Sequence, residues 1–168
     1  MGTSSLGTSD FTTPIEDRWF EDYVPGSVFW YGSLTVSEED ILGFARQYDP
    51  QSFHADPEAA AAGPFQGLIA SGWQTTALMM QLYAEHYLSK AASLASPGVD
   101  ELRWLRPVRP GDSLSMRTTV AEARVSRSKP DRGLVHTRVE MLNQHGDPVM
   151  TVTVMNILRR RPDPADTV

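Results

Sequence analysis

The sequence predicts an α+β fold in which an antiparallel sheet of about five strands curls around one long helix. Three observations carry this. Residues 73–89 form the longest helical stretch, and Leu78, Met79, Met80, Leu82, Tyr83, Ala84 and Tyr87 cover most of its circumference. Only Gln74, Gln81 and Glu85 stay polar on one side, and a helix apolar nearly all round belongs in the middle of a domain. After Ser96-Pro97-Gly98 the pattern changes to period two, the signature of half-buried strands. A chain that runs from a strand through short helices and one buried helix into antiparallel strands is satisfied by a sheet wrapped on that helix.

Taken in order, residues 28–36 are rich in aromatic and β-branched side chains and read as a strand. Ser37-Glu-Glu-Asp40 then places a hydroxyl and, three positions on, a carboxylate, the pattern of a capping box. Ile41, Leu42, Phe44 and Ala45 follow at roughly helical spacing, to about Gln47. Residues 48–55 are expected to be irregular, with Pro50 as a breaker. Asp56 and Pro57 suit the cap and first position of another short helix. A glycine-rich loop over 63–72 leads into the long helix. In 113–120, Leu114, Met116, Thr118 and Val120 share one face; in 134–142, Val135, Val139 and Met141 do, with His136, Arg138 and Glu140 opposite. Residues 143–147 make a hairpin loop, and 149–158 the returning strand.

A chain of 168 residues is enough for one domain with a real core and short for two. Residues 1–18 are expected to form a mobile arm, 19–160 the domain, and 161–168 a tail. With 40% hydrophobic and 21% charged residues the composition is that of a globular protein. The net charge of −6 argues against nucleic acid as the main partner, because phosphate binding leans on a basic face. The absence of cysteine removes disulfides, thiolate metal sites and a cysteine nucleophile, and fits a cytoplasmic protein. The first residues lack the basic and apolar blocks of a signal peptide, and no apolar run reaches the roughly 20 residues of a membrane span. His136 and His145 have no other ligand at metal-site spacing, so no metal is expected.

The chemistry-bearing segment is Tyr48-Asp-Pro-Gln-Ser-Phe-His-Ala-Asp-Pro57. Asp49 and His54 can together position and activate a water, one taking a proton while the other supplies one. Alone, this is no more than a structural histidine beside an Asp-Pro turn. Its context adds weight. The stretch resembles the Asp-x-Asn-Pro-x-His motif of the MaoC-like (R)-specific enoyl-CoA hydratases, with Asp56-Pro57 matching the motif's tail. Residues 65–72 resemble that family's loop before the central helix, with Ser71 where a histidine is usual and Gly72 on the glycine that donates its N–H to an oxyanion. Leu105-Arg-Pro-Val-Arg-Pro-Gly-Asp112 resembles a third element, the Pro-Val-x-Pro-Gly-Asp turn. The three matches come in family order and span roughly residues 24–158.

The resemblance implies a hot-dog fold that pairs into a homodimer or higher oligomer through sheet edges. The last strands look apolar enough to leave an edge that wants covering. It further implies hydration of a trans-2-enoyl thioester to the 3-hydroxyacyl thioester, or the reverse dehydration. The carrier is coenzyme A, as part of the substrate, or acyl carrier protein, with no separate cofactor. Asp49, His54 and Gly72 are then the catalytic set, with Gln51, Ser71 and Trp73 expected against substrate. Of two basic clusters, Arg103/Arg106/Arg109 and Arg124/Arg127/Lys129/Arg132, the second is preferred for the phosphates, through Arg127 and Lys129. Gln51-Ser52 departs from the motif's Asn-Pro. Two rivals stand beside this reading: a thioesterase, for which Glu85 is the one carboxylate on the long helix, and a non-catalytic acyl-thioester binder.

Overall fold

The computed structural model describes residues 11–163. Strand β1 (Val28–Thr35) leads into helix α1 (Glu38–Tyr48), a single turn α2 (Ser52–Ala55), helix α3 (Pro57–Ala62) and the central helix α4 (Gly72–Leu82). Strands β2 (Ser93–Trp104), β3 (Ser113–Val125), β4 (Arg132–Leu142) and β5 (Pro148–Arg159) follow. They form one five-stranded sheet in the order β1-β3-β4-β5-β2, antiparallel at every pairing.

Alternation along the strands does what it predicts. Leu114, Met116, Thr118 and Val120 of β3 and Val135, Val139 and Met141 of β4 are buried against the central helix. Met79, Leu82, Tyr83 and Tyr87 meet them from the helix side. Each such side chain removed from water contributes about 1.5–3 kcal/mol, which is what holds the sheet curled on α4. Ser37 and Asp56 cap α1 and α3 as their positions predict, accepting from the N–H groups of Asp40 at 3.1 Å and of Glu58 and Ala59 at 3.0 and 3.1 Å.

Several expectations need correction. The irregular stretch 48–55 contains the helical turn α2. The long helix is α-helical only to Leu82; Tyr83–Tyr87 is a π-helical turn that carries it to its end. The helix is also not buried all round, since Trp73 and Met80 face out while Gln74 is buried. Strand β5 lies inside the sheet, between β4 and β2, so the outer strands among the described residues are β1 and β2 instead of the last strands. Residues 11–18 were expected within a mobile arm, yet Phe11 stacks on Phe29 at 4.1 Å and Arg18 is buried over the Phe11 ring. At the other end, Arg161 is tied to Asp22 by a 3.0 Å bond from its guanidinium. The arm over 1–10 and the tail over 164–168 lie outside the described residues. No helix among the described residues is long and apolar enough to cross a membrane.

Candidate active site

Asp49 is the residue at which the chain leaves α1. Its N–H still closes onto Ala45 O at 2.9 Å, but its backbone has turned out of the helical region. Pro50 explains the stop, because a proline disfavours helical geometry in the residue before it. Gln51 then starts the α2 turn, and the N–H of His54 closes it onto Gln51 O at 2.9 Å. Helix end and turn together bring the two side chains face to face, with Asp49 Oδ2 3.5 Å from His54 Nε2.

The loop before α4 completes the clamp. His54 Nδ1–H donates to Ile69 O at 2.8 Å. A carbonyl can only accept, so this contact sets the tautomer and leaves Nε2 bare in the neutral ring. Ile69 N–H returns to Phe53 O at 3.3 Å, and Ala70 N–H reaches Val108 O at 2.8 Å. Val108 belongs to the Pro-Val-x-Pro-Gly-Asp turn, so that motif holds the loop against the sheet. Ser71 follows as the fully buried cap of α4. Its Oγ accepts the N–H of Trp73 at 3.2 Å and donates its own proton to Asp49 Oδ2 at 2.7 Å. The other carboxylate oxygen, Oδ1, accepts from Gln51 Nε2 at 2.8 Å. The Ser71 hydroxyl, then the Gln51 amide, then the nearby His54 hold the Asp49 carboxyl below its ordinary value, against the opposing effect of burial. Asp49 is therefore a carboxylate at neutral pH.

His54 and Gly72 line a cavity of about 320 Å³, closed by Thr75, Trp104, Val108 and Val149. Gly72 is the first residue of α4, so its N–H has no place in the intrahelical ladder and stands at the positive end of the helix. Glycine is required there by space: a Cβ would fall 2.4 Å from the indole of Trp104. The arrangement offers a donor for a developing oxyanion beside a carboxylate–imidazole pair, under an apolar roof.

A family model for the MaoC like domain matches residues 25–143. The chain belongs to the MaoC-like dehydratase family. The MaoC-like dehydratase of Rhodospirillum rubrum superposes with a TM-score of 0.80 at 38% identity, over 87% of this chain and 99% of that one. Among proteins of related sequence, YdeM of Bacillus subtilis is 33% identical over 74% of this chain and 86% of its own length. The 3-hydroxyacyl-thioester dehydratase Z of Mycobacterium tuberculosis is likewise 33% identical, over 64% of this chain and 73% of its own. The fold of this MaoC-like chain is the α+β hot-dog expected from its motifs.

The expected site residues divide into those the fold gathers and those it does not. Asp49, His54 and Gly72 come together, although His54 and Gly72 form the cavity wall and Asp49 stands behind them. Gln51 and Ser71, expected against substrate, are both spent on Asp49. Trp73 is 58% exposed and lies on the outer side of α4, edge-on to Trp104 with ring centroids 5.1 Å apart. Arg127 and Lys129 sit between β3 and β4, at the end of the sheet where Arg132 pairs with Arg159. The cavity is at the opposite end, where Leu142 pairs with Pro148 and where Val149 lines the wall. Within one subunit the cation on the cavity wall is Arg106 of the other cluster, whose guanidinium also donates to Pro148 O at 2.9 Å. Glu85 lies on the π-helical turn, at the far end of the helix from Gly72. The residue the sequence reading missed is Trp104. It closes β2, where register shifts break the alternation that would have marked the strand.

Proposed function

We propose that this MaoC-like protein is a hydro-lyase that adds water to a trans-2-enoyl-CoA, or removes it from the 3-hydroxyacyl-CoA. The observation that carries the proposal is the Asp49–His54 pair at 3.5 Å, set beside the free N–H of Gly72. With Asp49 a carboxylate and the imidazole Nε2 bare, both facing atoms are acceptors, which suits a water donating one hydrogen to each. The thioester oxygen takes the Gly72 N–H, so charge arriving on it as the enolate forms is stabilised. As the water oxygen bonds to the β-carbon, one of its protons passes to the pair. The pair returns a proton to the α-carbon as the enolate collapses, and the sum is water across the double bond. The similarity to dehydratase Z of Mycobacterium tuberculosis supports the same reaction class.

Coenzyme A fits as carrier through Arg106 at the cavity, acyl carrier protein being the alternative. In a homodimer paired along the outer strand β2, Arg127 and Lys129 would serve the phosphates only from the second copy. The occupied oxygens of Asp49 favour one competing reading, a non-catalytic acyl-thioester binder. The deciding measurement is enoyl absorbance in the ultraviolet with enoyl-CoA esters, using the wild type and Asp49→Asn. Loss of the band with wild type alone is the expected result. An unchanged band with a folded protein that still binds acyl-CoA would overturn hydration in favour of the binder.

A further inference from the structure

We propose that Trp104 is the specificity-determining residue of this site, a partition that confines the acyl group to a short pocket. The inference rests on the hydro-lyase reading for the placement of the thioester at Gly72.

The indole of Trp104 lies flush on Gly72, so close that only a glycine leaves it room. Its Nε1–H donates to Thr76 Oγ1, one turn further along α4, at 3.3 Å. Trp73 meets it edge-on at 76° from the other side. The main chain beneath is fixed as well, since Leu105 N–H donates to Val149 O at 2.8 Å. The ring is therefore held at three points, although Trp104 is 46% exposed.

On one side of this ring is the cavity with His54, Gly72 and Thr75. A separate apolar groove of about 520 Å³, lined by Trp73, Thr76, Met80, Leu88, Val99 and Val154, meets the ring through Trp73 and through the Thr76 hydroxyl that its Nε1–H binds. Trp104 touches a wall residue of each, Gly72 in the first and Thr76 in the second. The first space, about 320 Å³, lies near the bottom of the range of about 300–1,000 Å³ found for small-molecule pockets. A tail that begins at Gly72 and outgrows this space meets the indole before it can reach the groove. Short acyl thioesters are thus the substrate class, and the groove is closed to the tail by one side chain.

The test uses the full-length protein with two readouts. Calorimetric affinity is measured for butanoyl-, octanoyl- and dodecanoyl-CoA, and hydration for the matching 2-enoyl esters, in wild type, Trp104→Ala and Trp104→Phe. Wild type should bind the short ester about tenfold or more tightly than the longest, since even one misplaced methylene costs about tenfold or more. Trp104→Ala should abolish that preference, and Trp104→Phe, which keeps a smaller ring in place, should fall between. A wild type without chain-length preference, or a preference unchanged in both variants, would overturn the partition. Because affinity is read separately from turnover, the two proposals fail differently. Missing hydration with the affinity pattern intact would sink only the hydro-lyase reading, and hydration with no change in chain-length ratio would sink only the partition.

Discussion

At its last turn the central helix has its carbonyls closed off, whereas at its first turn a donor is left open. Arg18 donates to His86 O at 2.7 Å and Tyr87 O at 3.1 Å, and Tyr23 OH adds a third bond to Tyr87 O at 2.8 Å. Burial pushes the phenols of Tyr23, Tyr83 and Tyr87 well above their ordinary value, so they remain hydrogen-bond donors at any working pH. At the other end the Ser71 hydroxyl caps Trp73 N–H, and Gly72, whose N–H lies outside the intrahelical ladder, lines the cavity. One end of the helix is finished by the protein itself. The other is left for a ligand to finish, with a carboxylate held ready beside it. Function and stability should accordingly separate along this one helix.

The largest expected effect is at the open end. Asp49→Asn removes the charge opposite His54, and turnover of an enoyl-CoA should fall about 10²–10⁴-fold, the range of a lost general acid–base group. At the closed end the balance reverses. Arg18→Ala strips three carbonyls of a charged donor, Thr13 O being the third at 3.0 Å. Tyr87 O keeps the Tyr23 hydroxyl, but Thr13 O and His86 O lose their donor. An acceptor left unpaired costs about 1–3 kcal/mol, so denaturant unfolding should show a loss of that size while kcat/KM stays unchanged. Equal loss of activity and stability in both variants would erase the contrast between the two ends.

Gly72→Ala sharpens the comparison because it keeps the open N–H and alters only space. The added Cβ would sit 2.4 Å from the Trp104 ring, which must move. Overpacking of this kind costs about 1–3 kcal/mol. The double variant Gly72→Ala/Trp104→Ala should recover most of that stability in thermal unfolding, since the three atoms nearest that Cβ all belong to the indole. Failure to recover would place the strain in the backbone at the head of α4.

Much of this was readable before any coordinates, and the exceptions share a cause. The strands β3 and β4 alternate strictly over most of their length, so their buried faces were legible from residues such as Leu114 and Met116. Asp49, His54 and Gly72 were legible because they lie in motifs whose spacing survives here. Strand β2 was not, since register shifts between Ser93 and Ala95, Ala95 and Gly98, and Asp100 and Arg103 destroy the period, and Glu101 takes a positive φ of 53°. Trp104 was hidden with it. Strand order does not reside in periodicity either, so β5 reads as an edge in the sequence, and the sequence does not show that within one subunit the Arg127 cluster and the cavity lie at opposite ends of the sheet. For Gln51 and Ser71, expected against substrate, the structure shows both side chains turned to the Asp49 carboxylate, a direction that spacing in the sequence does not carry.

That inward turn leads to the smallest and most specific effect. Ser71 donates to the same oxygen of Asp49 that faces His54, and its hydroxyl is the first cause of the lowered Asp49 pKa. The active form requires the Asp49 carboxylate, so its protonation contributes to the acid limb of kcat/KM. A pKa held low keeps that limb at low pH. Ser71→Ala removes the donor, lets the pKa rise towards its ordinary value, and should move the acid limb upward in pH. The cap on Trp73 N–H is lost in the same variant, at about 1 kcal/mol of stability. Stability alone cannot separate the two roles, because any cap would give that loss. The pH profile can: Ser71→Thr, which keeps the hydroxyl, should return the acid limb to its wild-type position, whereas a limb that does not move in Ser71→Ala would mean that the hydroxyl serves α4 and not Asp49.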